Sequence, residues 1–257
     1  LSETETWRDD IPLPEKIIRV DIDPYQINNP YPSTTGIIGD ACASLKYLAD
    51  QLAGSNAPDA EMAEQRVRAI RQAARSNETD LMKTHRKVLE VMGEALPDET
   101  AVVTDMTQIA YSGNEIYPVH QTRSWLHPTG FGTLGYALPA AIGAKLAVPS
   151  RPITALAGDF GFQFTLPELA VAAELDLHLT LILWNNDALG QIRDDMYAQG
   201  IGKIGVEHRN PDFALLAESY RARYARPDNA EDLKQALLNS QEEPGLWFIE
   251  VRQAAFS

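Results

Sequence analysis

The chain has 257 residues, 44% of them hydrophobic and 23% charged, with a net charge of -14. These proportions suit a globular protein; no window reaches the roughly 18 to 20 apolar residues of a membrane span, and the acidic balance argues against nucleic-acid or anionic-membrane binding. Cys42 is alone, so no intrachain disulfide forms, and the opening LSETETWRDD lacks the basic start and apolar centre of a signal peptide, which makes the cytoplasm the expected compartment.

In chain order, KIIRVDID and STTGIIGD read as short strands and ACASLKYLADQL as a helix, so residues 1–53 are expected to be the tail of an α/β domain. The chain opens on Leu rather than Met and is expected to be the C-terminal part of a longer one. Residues 54–80 are polar and Ala-rich with turn residues at both ends, and read as a linker carrying one helix over 61–75.

From residue 81 to 257 helix and strand patterns alternate. Helices are predicted over 82–95, 108–116, 134–146, 166–175, 189–197, 213–220 and 230–238. Strands are predicted over 101–104, 122–126, 153–157, 179–184 and 246–251. Several strands are short and wholly apolar, so the expected fold is α/β: a mainly parallel, doubly wound sheet with helices on both faces.

In such sheets ligands bind where the carboxyl ends of strands meet helix N-termini. The strand ITALA delivers Gly158 and Asp159, and LTLILW delivers Asn185 and Asn186. A carboxylate and an amide oxygen at neighbouring strand ends are hard ligands suited to Mg²⁺, which recruits substrate phosphates. Gly158 and Gly161 would let backbone amides approach those phosphates without cationic side chains. The same residues also fit a helix cap at Asp159 and a turn at Asn185 and Asn186, and spacing leaves both readings open.

The stretch GDFGFQFTLPEL…WNNDALGQI resembles the signature of thiamin-diphosphate enzymes related to acetolactate synthase and benzoylformate decarboxylase. KIIRVDIDPYQINNPYPSTTGIIGDACASLKYLADQL is similar to the end of that family's central domain, and HPTGFGTLGYALPAAIGAKLAVPSRP to its aminopyrimidine-binding segment. The resemblance implies Asp159, Asn186 and the carbonyl of Ala188 as Mg²⁺ ligands, with Gly158, Phe160, Gly161, Thr107 and Gln108 at the diphosphate. It implies Leu134 as the apolar support that bends the cofactor, and the Gly132 carbonyl as acceptor for the pyrimidine amino group. Phe160 stands where the motif has Gly, so its ring must point away from the diphosphate.

The resemblance further implies a 2-oxo acid substrate, a dimer or tetramer of the whole chain, and an activating Glu on a pyrimidine-binding domain that this sequence does not contain. Acetolactate synthases carry Met and Trp where this chain has Gln191 and Asp195. WNNDALGQIRDDM looks closer to decarboxylases of 5-guanidino-2-oxopentanoate, and Asp195, with Asp194, would pair with a guanidinium tail; a solvated helix face is the competing reading. An acetolactate-forming carboligase and a non-catalytic cofactor-binding module are the other expectations.

GFGTLG, residues 130–135, fits a dinucleotide pattern but lacks the preceding apolar strand. The histidines at 85, 120, 127, 178 and 208 have no metal-ligand spacing and read as surface or packing residues, with His120 and His127 nearest the cofactor loop. Ser112 and Ser124 lack a nucleophile-elbow context.

Overall fold

The computed structural model describes residues 14–29, 31–55 and 59–257. The opening decapeptide and residues 56–58 of the expected linker lie outside these. The chain divides between Asn77 and Glu78 into two compact units.

In the first unit, β1 (Ile18–Asp21) pairs in parallel with β2 (Thr35–Ile38), and helix α1 (Ala41–Leu52) follows. Asp40 caps α1 by accepting from the Ala43 amide at 2.8 Å, which fixes the helix start that the sequence pattern predicts. Helix α2 (Ala60–Ser76) occupies most of the stretch read as a linker and buries none of its residues.

The second unit is a six-stranded parallel sheet in the order β4-β3-β5-β6-β8-β7. Its strands are β3 (Ala101–Thr104), β4 (Trp125–Leu126), β5 (Ile153–Gly158), β6 (Leu179–Asn185), β7 (Arg223–Ala225) and β8 (Leu246–Arg252). Every residue of β5 and β6 is buried, as wholly apolar central strands require when both faces are covered.

Two cores follow from the period-2 alternation of the strands. Val103, Ala155, Leu181 and Phe248 face α5 (Ala137–Ala147) and α7 (Leu169–Glu174) on one side. Val102, Leu156, Ile182 and Ile249 face α3 (Asp80–Ala95) and α10 (Ala230–Glu242) on the other.

The remaining helices are α4 (Gln108–Ile116), α6 (Asp159–Phe164), α8 (Gly190–Ala198), α9 (Phe213–Ser219) and α11 (Gln253–Phe256). Departures from the sequence pattern have local causes. Residues 134–136 are not helical, because Gly135 sits at φ +80°. The GDFGFQF stretch, to which the sequence pattern assigns no element, forms α6 with extended Gly158 as its cap. The β7 strand is three residues long and α11 four, too short to carry a period.

His85 on α3 is buried, edge-on to Trp184 at 5.0 Å, with Nδ1 at 2.8 Å from Ser112 Oγ. Burial pushes its pKa down to about 4. Between that value and the ordinary ~6.5 of an unfolded chain, the unfolded state binds more protons, so stability falls on acidification. The expected result is a loss of about 2 kcal/mol between pH 7 and pH 5 from this group, read from urea midpoints and absent in His85→Gln.

Candidate functional site

Chain direction across the sheet reverses between β3 and β5: β3 leads outward to β4, whereas β5 leads the other way to β6. Loops leaving the two strands diverge there and leave a crevice at their carboxyl ends. The cavity at that point is lined by Met106, Thr107, Gln108 and Tyr111 from the β3 end, and by Gly158, Asp159, Phe160 and Gly161 from the β5 end. Asn186, Ala188, Leu189, Gly190, Gln191 and Ile192 close it from the β6 end, and Gly132 and Leu134 from the loop between β4 and α5.

The ten residues that the resemblance implies around the cofactor and its metal thus lie on one cavity: Thr107, Gln108, Gly132, Leu134, Gly158, Asp159, Phe160, Gly161, Asn186 and Ala188. Asp195 does not line it. It lies exposed on α8, where Oδ1 accepts from Gln191 Nε2 at 3.0 Å, and Gln191 itself is on the cavity wall. Asp194 accepts from Gln108 Nε2 at 2.8 Å and from Arg193 Nε at 3.0 Å.

Close approach explains the glycines. A Cβ on Gly158 would stand 2.9 Å from Thr107 Oγ1, and one on Gly161 2.9 Å from Asp105 Oδ2. Thr107 occupies the cap position of α4 yet makes no side-chain capping bond, so its hydroxyl is turned to the β5 end instead. The Phe160 ring packs against His208 at 4.4 Å and against Phe164 at 5.9 Å.

The loop carrying Leu134 is tied down by Asp105, whose two carboxylate oxygens accept from the Gly135 amide at 3.0 and 2.9 Å. The Gly135 carbonyl accepts from Thr165 Oγ1 at 2.9 Å. The residue after Leu134 is therefore held from both sides, which orients the leucine toward Gly161.

Asp105 and Asp159 are both almost fully buried, and desolvation pushes both carboxyls above the usual range despite hydrogen bonds that oppose it. Asp159 Oδ2 accepts from Asn210 Nδ2 at 2.7 Å, and His208 Nε2 lies 3.7 Å away. Burial, then the charges of Asp105 and Asp195, push the Tyr111 phenol up.

Asp105, Tyr111, His208 and Asn210 escaped the sequence reading. Asp105 was accessible as the first residue beyond an apolar strand. His208 and Asn210 come from a loop 49 and 51 positions beyond Asp159, and no periodicity links them to it. None of His120, His127 and His208 lines the cavity; His127, expected near the cofactor loop, bonds Thr104 and packs edge-on against the wall residue Tyr111 at 5.9 Å, while His208 stands beside Asp159.

Among the described residues no cluster of three His, Cys, Asp or Glu forms a metal cage. The oxygens gathered here are one buried carboxylate, a side-chain amide oxygen and the backbone of the β6 turn. That donor set fits Mg²⁺, a hard cation that completes its shell with waters and ligand phosphates.

A parallel α/β sheet with a glycine-lined crevice beside a buried aspartate at its switch point is the architecture of a diphosphate-binding domain. The chain belongs to the thiamine pyrophosphate enzymes: residues 105–251 match the family described as the C-terminal TPP binding domain. It is 46% identical over 255 residues to the probable 2-ketoarginine decarboxylase AruI of Pseudomonas aeruginosa, covering 99% of this chain and 45% of that protein. It is 31% identical over 230 residues to an acetolactate synthase of Mycobacterium bovis, covering 85% of this chain and 37% of that one. The fold resembles the thiamine diphosphate-dependent 4-hydroxybenzoylformate decarboxylase of Rhodococcus jostii RHA1, with TM-score 0.71 and 22% identity over 92% of this chain and 44% of that chain. The chain spans less than half the length of these relatives. No helix among the described residues is long and apolar enough to cross a membrane.

Proposed function

We propose that this domain binds thiamin diphosphate through Mg²⁺ held by Asp159, Asn186 and the carbonyl of Ala188, and that the whole protein decarboxylates 5-guanidino-2-oxopentanoate, or 2-ketoarginine. The observation that carries the reading is the convergence of these residues with Gly158, Gly161, Thr107 and Gln108 on one switch-point cavity. When bound, the cofactor supplies the electron sink that decarboxylation of a 2-oxo acid requires.

The chain's own part is binding and shape. Gly158 and Gly161 admit the side chains of Thr107 and Asp105 close against the strand end, and Leu134, fixed through Gly135 by Asp105 and Thr165, presents an apolar side chain to the cofactor. The Gly132 carbonyl serves as acceptor for the aminopyrimidine.

The guanidino substrate is favoured by the acid at 195. Asp194 is already paired with Arg193, whereas Asp195 meets the neutral Gln191 amide at the cavity wall. A guanidinium binding there would gain a charge-assisted pair. In the full-length enzyme, Asp195→Asn is expected to lower kcat/KM for the guanidino substrate about 10- to 100-fold and to leave that for pyruvate nearly unchanged, as loss of one hydrogen-bonded charge pair predicts. Equal kcat/KM for the two forms on the guanidino substrate would remove Asp195 from the specificity site, and a preference for pyruvate in the wild type would favour an acetolactate-forming carboligase.

A further inference from the structure

Asn210 is 51 positions from Asp159 and lies in a loop that pairs with the β6 turn. Ala188 and Glu207 form an antiparallel bridge, the Leu189 amide donates to the Val206 carbonyl at 2.9 Å, and the His208 amide donates to the Asp187 carbonyl at 3.4 Å. These contacts fix where the Asn210 side chain can reach.

Its Nδ2 donates toward Asp159 Oδ2 at 2.7 Å, Asp187 Oδ1 at 2.9 Å and Asn185 Oδ1 at 3.0 Å. Its Oδ1 accepts from His208 Nε2 at 2.7 Å and from Gln163 Nε2 at 3.1 Å. The amide orientation is dictated by chemistry: turned over, it would press its oxygen against three oxygens, two of them from carboxylates. Nδ2 thus supplies two protons to three acceptors, a node of positive partial charge at the junction of the β5 and β6 ends.

The three acceptors bracket the metal-ligand positions. Asp159 is itself one; Asn185 precedes Asn186; Asp187 lies between Asn186 and Ala188. Asp187 sits at φ +53°, a left-handed conformation that, outside glycine, Asn and Asp tolerate best. The turn is closed locally by Asp187 and Ala188 amides donating to Asn185 and Asn186 Oδ1 at 3.1 and 3.2 Å, and Asn210 clamps it to Asp159.

We propose that Asn210 is a positioning residue that holds Asp159 and the Asn185–Ala188 turn in the arrangement a divalent cation needs. It touches none of the reacting atoms. The inference rests on the assignment of Asp159, Asn186 and Ala188 as ligands. Outer groups that orient metal ligands commonly contribute 10- to 100-fold in metal affinity.

The test is Mn²⁺ binding to the full-length protein with saturating thiamin diphosphate, with free Mn²⁺ read by electron paramagnetic resonance. Asn210→Ala is expected to raise the Kd for Mn²⁺ about 10- to 100-fold, while kcat at saturating Mn²⁺ returns to within about threefold of wild type. A role in folding alone would shift the metal-free melt and kcat without this selective change in Kd. If the alanine variant fails to fold, Asn210→Leu, which keeps the side-chain volume without a donor, is read in the same way. A folded variant whose Mn²⁺ affinity stays within about threefold of wild type overturns the inference and leaves the cofactor reading intact. A wild-type protein that binds no Mn²⁺ with thiamin diphosphate overturns both.

Discussion

Asp159→Asn in the full-length protein is expected to abolish the thermal stabilisation produced by thiamin diphosphate with Mg²⁺ while leaving the ligand-free protein within about 2 kcal/mol of wild type. The carboxylate is 1% exposed, and desolvation raises its pKa, so in the absence of a cation the ionised form sits unfavourably. The isosteric amide relieves that penalty and preserves the volume of a close-packed junction, but it sets its own NH₂ against one of the two donors the carboxylate now accepts from, Asn210 Nδ2 and the Phe160 amide, which offsets the gain. It cannot offer a cation a formal negative charge. A ligand at about 100 times its Kd contributes about 2.7 kcal/mol, which for a domain of this size is about 5 to 10 °C in Tm. Melts with and without the two ligands check the result. A variant that keeps the full ligand shift would show that Asp159 does not hold metal.

Gly190→Ala is expected to weaken cofactor binding about 10- to 100-fold with little change in the stability of the ligand-free chain, the scale on which displaced supporting groups act on a metal site. A Cβ at this position would stand 2.2 Å from Gln108 Oε1 and 2.5 Å from Asn186 Nδ2. Both atoms are ends of flexible side chains, so they move aside and the backbone stays. Gly190 is the first residue of α8, and alanine gains roughly 1 kcal/mol of helix propensity, which offsets much of the local crowding. The displaced groups are a metal-ligand candidate and its hydrogen-bond partner, which meet at 3.3 Å. Isothermal titration with thiamin diphosphate and Mg²⁺ reads the loss, and unchanged affinity would mean that the Gln108–Asn186 contact does not shape the site.

These two effects separate a stability role from a binding role because each substitution alters the strand-end crevice while leaving the ligand-free fold near wild-type stability. The buried acid is the residue there that folding alone would not favour.

The apolar strands at 101–104, 153–158 and 179–185 were legible in the sequence because wholly buried parallel strands have no polar face to confuse the pattern. The helices at 41–52 and 108–116 carry a 3.6-residue period, and Asp40 supplies a cap before the first of them. Asp159 and Asn186 were legible for a related reason: both are polar residues placed where an apolar run stops, and a parallel sheet puts all such stops at one end.

What the sequence by itself determined is therefore the local alternation of strands and helices and the residue types at each strand end. Only the tertiary structure decided which ends face one another. Strand order places β3 beside β5 and so joins Thr107 and Gln108 to Gly158 and Asp159, although about fifty residues separate them in the chain. It also brings Asp105 to the amide after Leu134, and Asn210 from a loop beyond α8 to the carboxylate of Asp159. Hydrogen bonds across such distances leave no period in the chain, because each depends on where two independently formed elements are packed rather than on the spacing of residues within either one.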